Sequence, residues 1–388
     1  MKFDVVIVGG GLVGASLAAG LAGSGLSIAL VEGREPVPAV AGADWDSRIY
    51  AISPGSVAWL STGGAWDRVA PERIAPVYDM EIHGDAGDSH LAFSAYEAGL
   101  AELCCIAESG ALQAALWAAV QAAPAIAVFC PARCSALMVA ADAAVLELDG
   151  GRRIEAALVV GADGGDSWVR QQAGIDARPT AYGQTAVVAN FAAAHPHRNV
   201  ARQWFRADGV LAFLPLPGNR ISIVWSTSGE HADALLALDD AALAAAVAEA
   251  SGHVLGELAV ITRAAGFPLQ IQRVASLVRP RIALVGDAAH NVHPLAGQGV
   301  NLGFRDAREL ATVLRERGPQ PDCGALSLLR RYERRRREDV ATLQFTTDML
   351  VKLFRHPAPA VRWLRNSGLA LVGQLPMLRR RLIAHAAA

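Results

Sequence analysis

Residues 281–306 read RIALVGDAAHNVHPLAGQGVNLGFRD, and this stretch decides the fold. Ile282 to Val285 make an apolar run of the length of a buried strand. A Gly286–Asp287 turn follows, then a loop rich in Pro and Gly, then a helical pattern beginning near Gly299. Asp287 thus stands at the carboxyl end of a strand, where open α/β sheets bind their ligands. Gly297 and Gly299 flank Gln298, so backbone N–H groups can approach a flat ligand with no Cβ in the way. The helix that follows turns its positive end toward the loop and favours an anion there.

A second ligand turn lies at the other end of the chain. Phe3 to Val8, FDVVIV, runs into Gly9-Gly10-Gly11-Leu12-Val13-Gly14, which fits G-x-G-x-x-G. A helical stretch over Val13 to Ala22 ends at Gly23 to Gly25, and a second strand, LSIALVE, closes on Glu32. Strand, glycine turn, helix, strand and terminal acid together make the dinucleotide-binding pattern. The glycines admit a pyrophosphate to the helix amino terminus, and Glu32 accepts from ribose hydroxyls. A third turn closes the set: the strand Ala157 to Val160 ends in Gly161-Ala162-Asp163-Gly164-Gly165-Asp166-Ser167, with Arg170 beyond. Asp46-Ser47-Arg48 precedes a short apolar segment, Ile49 to Ile52.

Composition narrows the classes. The chain has 388 residues, 53% of them hydrophobic, enough for a large core in two or three domains. A net charge of −2 gives no support to nucleic-acid binding. Cys104, Cys105, Cys130, Cys134 and Cys323 lack zinc-type spacing and read as reduced thiols of a cytoplasmic protein. His195 and His197 have no carboxylate or thiol nearby, so no metal site is expected. No apolar run reaches bilayer-spanning length, and Met1 leads directly into a strand with no signal peptide.

Between the turns, Pro76 to Phe93, Thr185 to Phe191 and Trp204 to Trp225 alternate in the manner of an antiparallel sheet. Phe205, Phe213, Leu214 and Trp225 are expected to line its ligand side, although each is also a natural core residue. Asp233 to Ala250 reads as one packing helix. From Leu326 the chain is helical, broken at Pro357 to Pro359 and at Pro376. The Arg330 to Arg337 cluster reads as a solvated helix face. Leu378, Leu382 and Ile383, with Arg379 to Arg381, form a candidate interfacial segment for acidic lipid head groups. His290 and His293 read first as hydrogen-bonded structural residues, with proton handling the alternative.

With these motifs in place, the sequence resembles the single-component flavoprotein hydroxylases of the para-hydroxybenzoate hydroxylase fold. Within them it is most similar to the polyprenylphenol hydroxylases of ubiquinone biosynthesis. The resemblance is carried by Gly9 to Gly14 with Glu32, Ser47-Arg48, Glu108 to Gln113, Gly161 to Gly164 with Ser167 and Arg170, and Gly286 to His290. Pro294 with Gly297-Gln298-Gly299-Val300-Asn301 is its most specific part. LPLPGNRISIVWS, from Leu214 to Ser226, and the Arg-rich Tyr332 to Asp339 helix also look like the ubiquinone branch. Tyr50 departs from the family, in which many members carry a smaller residue there.

The resemblance implies an α/β (α+β) fold. A discontinuous Rossmann-type FAD-binding domain would comprise 1–75, 95–177 and 276–325. A mostly antiparallel substrate sheet would comprise 76–94 and 178–275, and a helical region 326–388. It implies that Gly9, Gly11, Gly14 and Glu32 hold the ADP half of FAD, with Arg48 and Gln113 facing the pyrophosphate or flavin. Asp163 would anchor the turn where a nicotinamide nucleotide approaches, and Asp287 would bind the ribityl chain. Gly299, Val300 and Asn301 would lie against the flavin edge, and Pro294, Gly297, Gln298 and Gly299 would form the reacting loop. The implied reaction is hydroxylation of a prenylated phenol with NAD(P)H and O2 through a flavin hydroperoxide. The expected setting is the cytoplasm, with peripheral contact to the inner face of the membrane or to other ubiquinone-biosynthesis proteins. Rival readings are another FAD monooxygenase, a prenyl reductase and a non-catalytic flavin-binding subunit. A halogenase would carry a Trp-x-Trp-x-Ile-Pro stretch, absent here.

Overall fold

The computed structural model describes residues 1–38, 42, 44–85, 89–293, 297–318, 322–355, 358, 365 and 375–387. Its largest sheet is built round β1 (Lys2–Val8), in which Val5, Val6 and Ile7 have no accessible surface. On one side β1 runs parallel to β2 (Ile28–Val31), itself parallel to β8 (Ile126–Phe129). On the other side it is parallel to β11 (Arg153–Gly161), which is parallel to β19 (Ile282–Leu284). Strands buried on both faces carry continuous apolar runs without alternation, which is why FDVVIV and IALV lack a polar face. Antiparallel β10 (Ala144–Leu148), with β9 (Cys134–Val139) beyond it, pairs with the first half of β11, and β18 (Val278–Arg279) extends the edge at β19.

Helices α1 (Leu12–Leu21), α4 (Ser109–Gln121) and α8 (Gly299–Arg315) pack together over this sheet, with α2 (Pro54–Thr62) beside α1 and α8. Leu17, Leu112 and Phe304 are almost fully buried, each side chain contributing about 1.5–3 kcal/mol by its removal from water. A small antiparallel sheet joins β3 (Ile49–Ile52), β7 (Cys104–Glu108) and β4 (Ala75–Val77).

The second large sheet holds β5 (Asp79–His83), β6 (His90–Ser94), β12 (Ala177–Ala193), β13 (Val200–Arg206), β14 (Gly209–Leu216), β15 (Arg220–Ser228), β16 (Leu258–Val260) and β17 (Ala265–Val274). All its pairings are antiparallel except that of β13 with β5. One face, carrying Val187, Phe191, Phe213, Ile223 and Trp225, packs on α6 (Gly229–Leu236) and α7 (Asp240–Ala250). This corrects two expectations. Phe213 and Trp225 line the helix side, because register places them on the face opposite Phe205 and Leu214. The single helix expected over Asp233 to Ala250 is two, because Asp239 accepts from Ala242 N at 2.8 Å and caps a fresh start.

Short helices α3 (Ala95–Ala98) and α5 (Trp168–Gln172) follow β6 and β11, and α9 (Leu326–Arg355) runs along the flank of the large sheet. Arg336 corrects the reading of its Arg cluster as wholly solvated, being only 5% exposed. α10 (Pro376–Ala387) docks on α3, with Arg379 bonded to Glu97 at 3.2 Å and to Ala92 O. Its Ile383 is buried, leaving Met377, Leu382, Arg380 and Arg381 outward, while the side chain of Leu378 lies outside the described residues. Among the described residues no helix is long and apolar enough to cross a membrane.

Candidate active site

Three turns meet at the carboxyl ends of adjacent parallel strands. The Gly9–Gly11 turn leaves β1, the Asp163 turn leaves β11 and the Asp287 turn leaves β19. Gly9 has φ +105, and a Cβ there would stand 2.3 Å from Ala162 O, so the first two turns touch through backbone. Arg170 Nη1 donates to Ala288 O at 3.0 Å, binding the second turn to the third.

The glycine turn is braced from three sides. Glu32 accepts from Gly10 N at 2.6 Å and from Arg34 N at 3.0 Å. Gln113 Nε2 and Trp117 Nε1 both donate to Gly10 O, at 2.7 and 2.9 Å. Trp117 escaped the sequence reading, although it follows Gln113 by one helical turn on the same face of α4. A Cβ at Gly14 would meet Gly9 O at 2.0 Å, whereas one at Gly11 would meet nothing within 4 Å. Gly11 caps α1 without a side-chain bond, and no acidic residue occupies the first turn. An open glycine beside an unneutralised helix amino terminus fits the pyrophosphate of a dinucleotide.

Asp163 holds its own turn. It accepts from Ser167 Oγ and from Val169 N, the latter at 3.0 Å. Burial pushes its carboxyl pKa up against those bonds. Asp287 retains accessible surface, yet enough protein surrounds it that desolvation raises its pKa, with His290 and Arg48 opposing. Arg48 is exposed, its guanidinium 5.7 Å from the Tyr50 ring and 5.8 Å from that of Phe267. Burial raises the Tyr50 pKa, and Asp287 acts the same way. Asp46 fastens the loop before Arg48: it accepts from Arg48 N and Gly110 N, and its own carbonyl accepts from Asn190 Nδ2 of the second sheet.

Behind Asp287 lies a buried ionic cluster that the sequence did not reveal. Asp306 has no accessible surface and accepts from Gly286 N at 2.9 Å, from Arg336 Nε at 2.7 Å and from His290 Nε2 at 2.7 Å. Burial alone would raise the Asp306 pKa, but His290 and Arg336 bring it below the usual value. The His290 ring is thus engaged with a buried carboxylate, a structural use of the imidazole.

The loop before α8 is clamped by Asn301, which is fully buried. Its Oδ1 accepts from Ser53 N at 2.9 Å, and its Nδ2 donates to Ala51 O at 2.8 Å and Gly297 O at 3.3 Å. The Asn301 amide is thus engaged by protein at both ends. Gln298 Oε1 accepts from Arg305 Nη2 at 3.0 Å, and Val300 packs partly buried against the main core. Gly297 has φ +60, and a Cβ on Gly299 would reach only Val292, at 4.0 Å. Pro294 lies outside the described residues.

His293, 1% exposed, lies at a cavity of about 250 Å³ between the second sheet and α9. Phe205, Val210, Val351 and Phe354 give it apolar walls, with the Phe205 and Phe354 rings stacked at 3.7 Å. His195 and His197 are remote from it. His197 Nε2 lies 2.9 Å from Leu216 O and its Nδ1 accepts from Asn199 N, a structural use of the ring.

The model of the FAD binding domain family matches residues 2–345 of this sequence. The chain belongs to that family. Full-length relatives of this FAD-binding-domain protein include a 3-demethoxyubiquinol 3-hydroxylase from Escherichia coli, 38% identical over 99% of this chain and 98% of the relative. The ubiquinone hydroxylase UbiL of Rhodospirillum rubrum is 37% identical over 99% and 89% of the two chains. The human mitochondrial ubiquinone biosynthesis monooxygenase COQ6 is 33% identical over 99% and 92%. In fold, the family member superposes on Pseudomonas aeruginosa PqsL in complex with 2-aminobenzoylacetate with a TM-score of 0.79, at 24% identity, over 95% of this chain and 100% of that one.

Proposed function

We propose that this protein is an FAD-dependent hydroxylase that uses NAD(P)H and O2 to oxygenate the ring of a polyprenylated phenol in ubiquinone biosynthesis. The observation that carries the reading is the meeting of three ligand turns at one end of a parallel sheet, in a chain whose full-length relatives are named as ubiquinone hydroxylases.

Gly9, Gly11 and Gly14 would hold the pyrophosphate and Glu32 the ribose, with Arg48 and Gln113 close by. Asp163 would shape the turn that a nicotinamide nucleotide approaches. Asp287 would take the ribityl hydroxyls, and Gly299, Val300 and Asn301 would present backbone to the flavin edge. FAD, when bound, supplies two-electron redox chemistry and oxygen activation. The protein's part is binding, orientation and dryness. The amino terminus of α8 favours negative charge beside the Gly297–Gly299 loop, and with Pro294 this backbone would set the reacting face. Phe205, Val210, Val351 and Phe354 would give the substrate ring an apolar wall in the cavity beside His293. A phenol brings its own ring electron density, so the site requires no paired carboxylates.

We assign the FAD-binding part to 1–75, 95–177 and 276–325, the substrate sheet to 76–94 and 178–275, and the helical region to 326–388; the sheet memberships support this except that β4 crosses the first boundary and pairs with β7. Contact with an acidic bilayer surface is also part of the reading. Tyr96, Met377 and Leu382 are exposed on α3 and α10, with Arg380 and Arg381 beside them. Flotation with liposomes containing acidic lipid should carry the protein upward, and an Arg380→Glu/Arg381→Glu variant should stay below.

The deciding experiment incubates purified protein aerobically with NADPH and a short-chain 2-prenylphenol. A product heavier by one oxygen is expected. Peroxide without product would retain the flavin reading and displace the substrate, and a yellow protein that leaves NADPH untouched would overturn the enzyme reading.

A further inference from the structure

The polar end of the cavity is made by an irregularity in β12. Opposite β17, Ala181 pairs with Gln270 and Gln184 with Leu269, so Tyr182 and Gly183 are extra residues in the strand. Gly183, at φ +64, lets the backbone make this bulge. Bulges re-aim side chains, and this one turns two toward His293. The Tyr182 ring stands edge-on to the imidazole at 4.9 Å, and Gln184 Oε1 lies 3.3 Å from His293 Nε2. Gln184, His293, Phe205 and Phe354 all line the same cavity.

The sense of the amide follows the tautomer of His293. With the His293 proton on Nε2, Gln184 Oε1 is the acceptor and the Gln184 NH2 group is the donor end. That NH2 group makes no other bond among the described residues. Arg206, Asp208 and Ser228 line another part of the cavity, but beside Gln184 the walls include Phe205, Val210 and Phe354, and a donor with two hydrogens there is matched to an oxygen atom on an otherwise apolar ring. His290 differs, because its Nε2 is committed to Asp306 behind the cofactor turn.

Resting on the proposed function, we propose that Gln184, held in orientation by His293, recognises the oxygen substituent of the substrate's aromatic ring and so positions the ring carbon that is hydroxylated. It is a positioning and specificity residue, and it discriminates oxygenated from bare prenylated rings. A site that hydrogen-bonds a substrate oxygen rejects the analogue lacking it, because its own polar group is then left unpaired.

The test is equilibrium binding to the FAD-loaded enzyme, followed by tryptophan fluorescence, of a 2-prenylphenol and the matching prenylbenzene. The wild type should prefer the phenol by about 10- to 100-fold. Gln184→Met should bind both rings about equally, its affinity for the phenol falling toward that for prenylbenzene, with FAD content unchanged. His293→Phe should retain part of the preference, having lost orientation but not the donor. A merely structural role would weaken both ligands together. Equal binding of the two rings by the wild type overturns the assignment even if no variant folds. An undiminished preference in Gln184→Met also overturns it. If the wild type binds neither ring while retaining FAD, the substrate reading fails and takes this assignment with it.

Discussion

Asp306 Oδ1 accepts from Arg336 Nε at 2.7 Å in a place where the carboxylate meets no solvent. The bond fastens α9 to the first half of α8, and the other carboxylate oxygen holds Gly286 N and His290. One residue therefore ties the carboxy-terminal helix to the turn that carries Asp287. Breaking a buried pair by removing one partner leaves the other charge uncompensated.

Asp306→Asn should accordingly destabilise the protein by about 3 kcal/mol or more. The deficit should depend on pH. The carboxyl pKa is lowered in the fold from its ordinary value of about 3.9, so its stabilisation is complete above that value and is lost as pH falls through the lowered one. Urea unfolding of both proteins across acid pH should show the difference constant near neutrality and shrinking below about pH 4. A difference that widened in acid would remove Asp306 as the charged anchor.

Asp287 should behave in the opposite sense. Its side chain has no hydrogen-bond partner among the described residues, and burial raises its pKa. For a raised carboxyl, stability is lost as pH rises through the folded pKa. In the FAD-free protein Asp287→Asn should therefore be neutral in acid and stabilising near pH 7, while Asp287→Ala loses FAD outright. Unfolding of the apoprotein and FAD titration by flavin fluorescence check the two halves. Normal flavin in Asp287→Ala would sink the cofactor assignment.

Asn301 is a clamp with both amide ends bonded, to Ser53 N, Ala51 O and Gly297 O. Asn301→Ala leaves these buried groups unpaired, at about 1–3 kcal/mol for each group that water cannot reach. Thermal unfolding should fall by several degrees. Limited proteolysis should find a first cut near Gly297, and an unchanged pattern would show that the clamp does not hold the loop.

Local chemistry was legible in the sequence; long-range pairing was not. The Ile49–Ile52 strand has the bounds that its polar flanks suggested, and the three turns announce themselves because Gly and Asp serve backbone needs within a few residues. The faces of the second sheet were misread because period-2 alternation gives two faces without saying which one a helix covers. The Asp239 break was missed because helix propensity over an Ala-rich stretch masks one capping aspartate. Asp306 and Arg336 stand 30 residues apart, and nothing local in either marks the bond. The inserted pair Tyr182–Gly183 is equally silent until β17 lies beside it.

The glycines of the site separate into two kinds, and substitution should tell them apart. At Gly14 a Cβ would lie 2.0 Å from Gly9 O, so Gly14→Ala must push α1 from β1 and destabilise the apoprotein. At Gly11 a Cβ meets nothing within 4 Å, and at Gly299 it meets only Val292 at 4.0 Å. Gly11→Ala should leave apoprotein stability within about 0.5 kcal/mol, since it places no strain on the fold. It should nevertheless weaken FAD binding by about 1–3 kcal/mol, through crowding of the pyrophosphate and the amide donors left unpaired by it. Gly299→Val should likewise spare the fold, retain the nucleotide turn and crowd the flavin ring. The measurement is paired: urea unfolding without cofactor, and FAD affinity by fluorescence. If Gly11→Ala unfolds like Gly14→Ala, or binds FAD as the wild type does, the open space at Gly11 is not where the pyrophosphate sits.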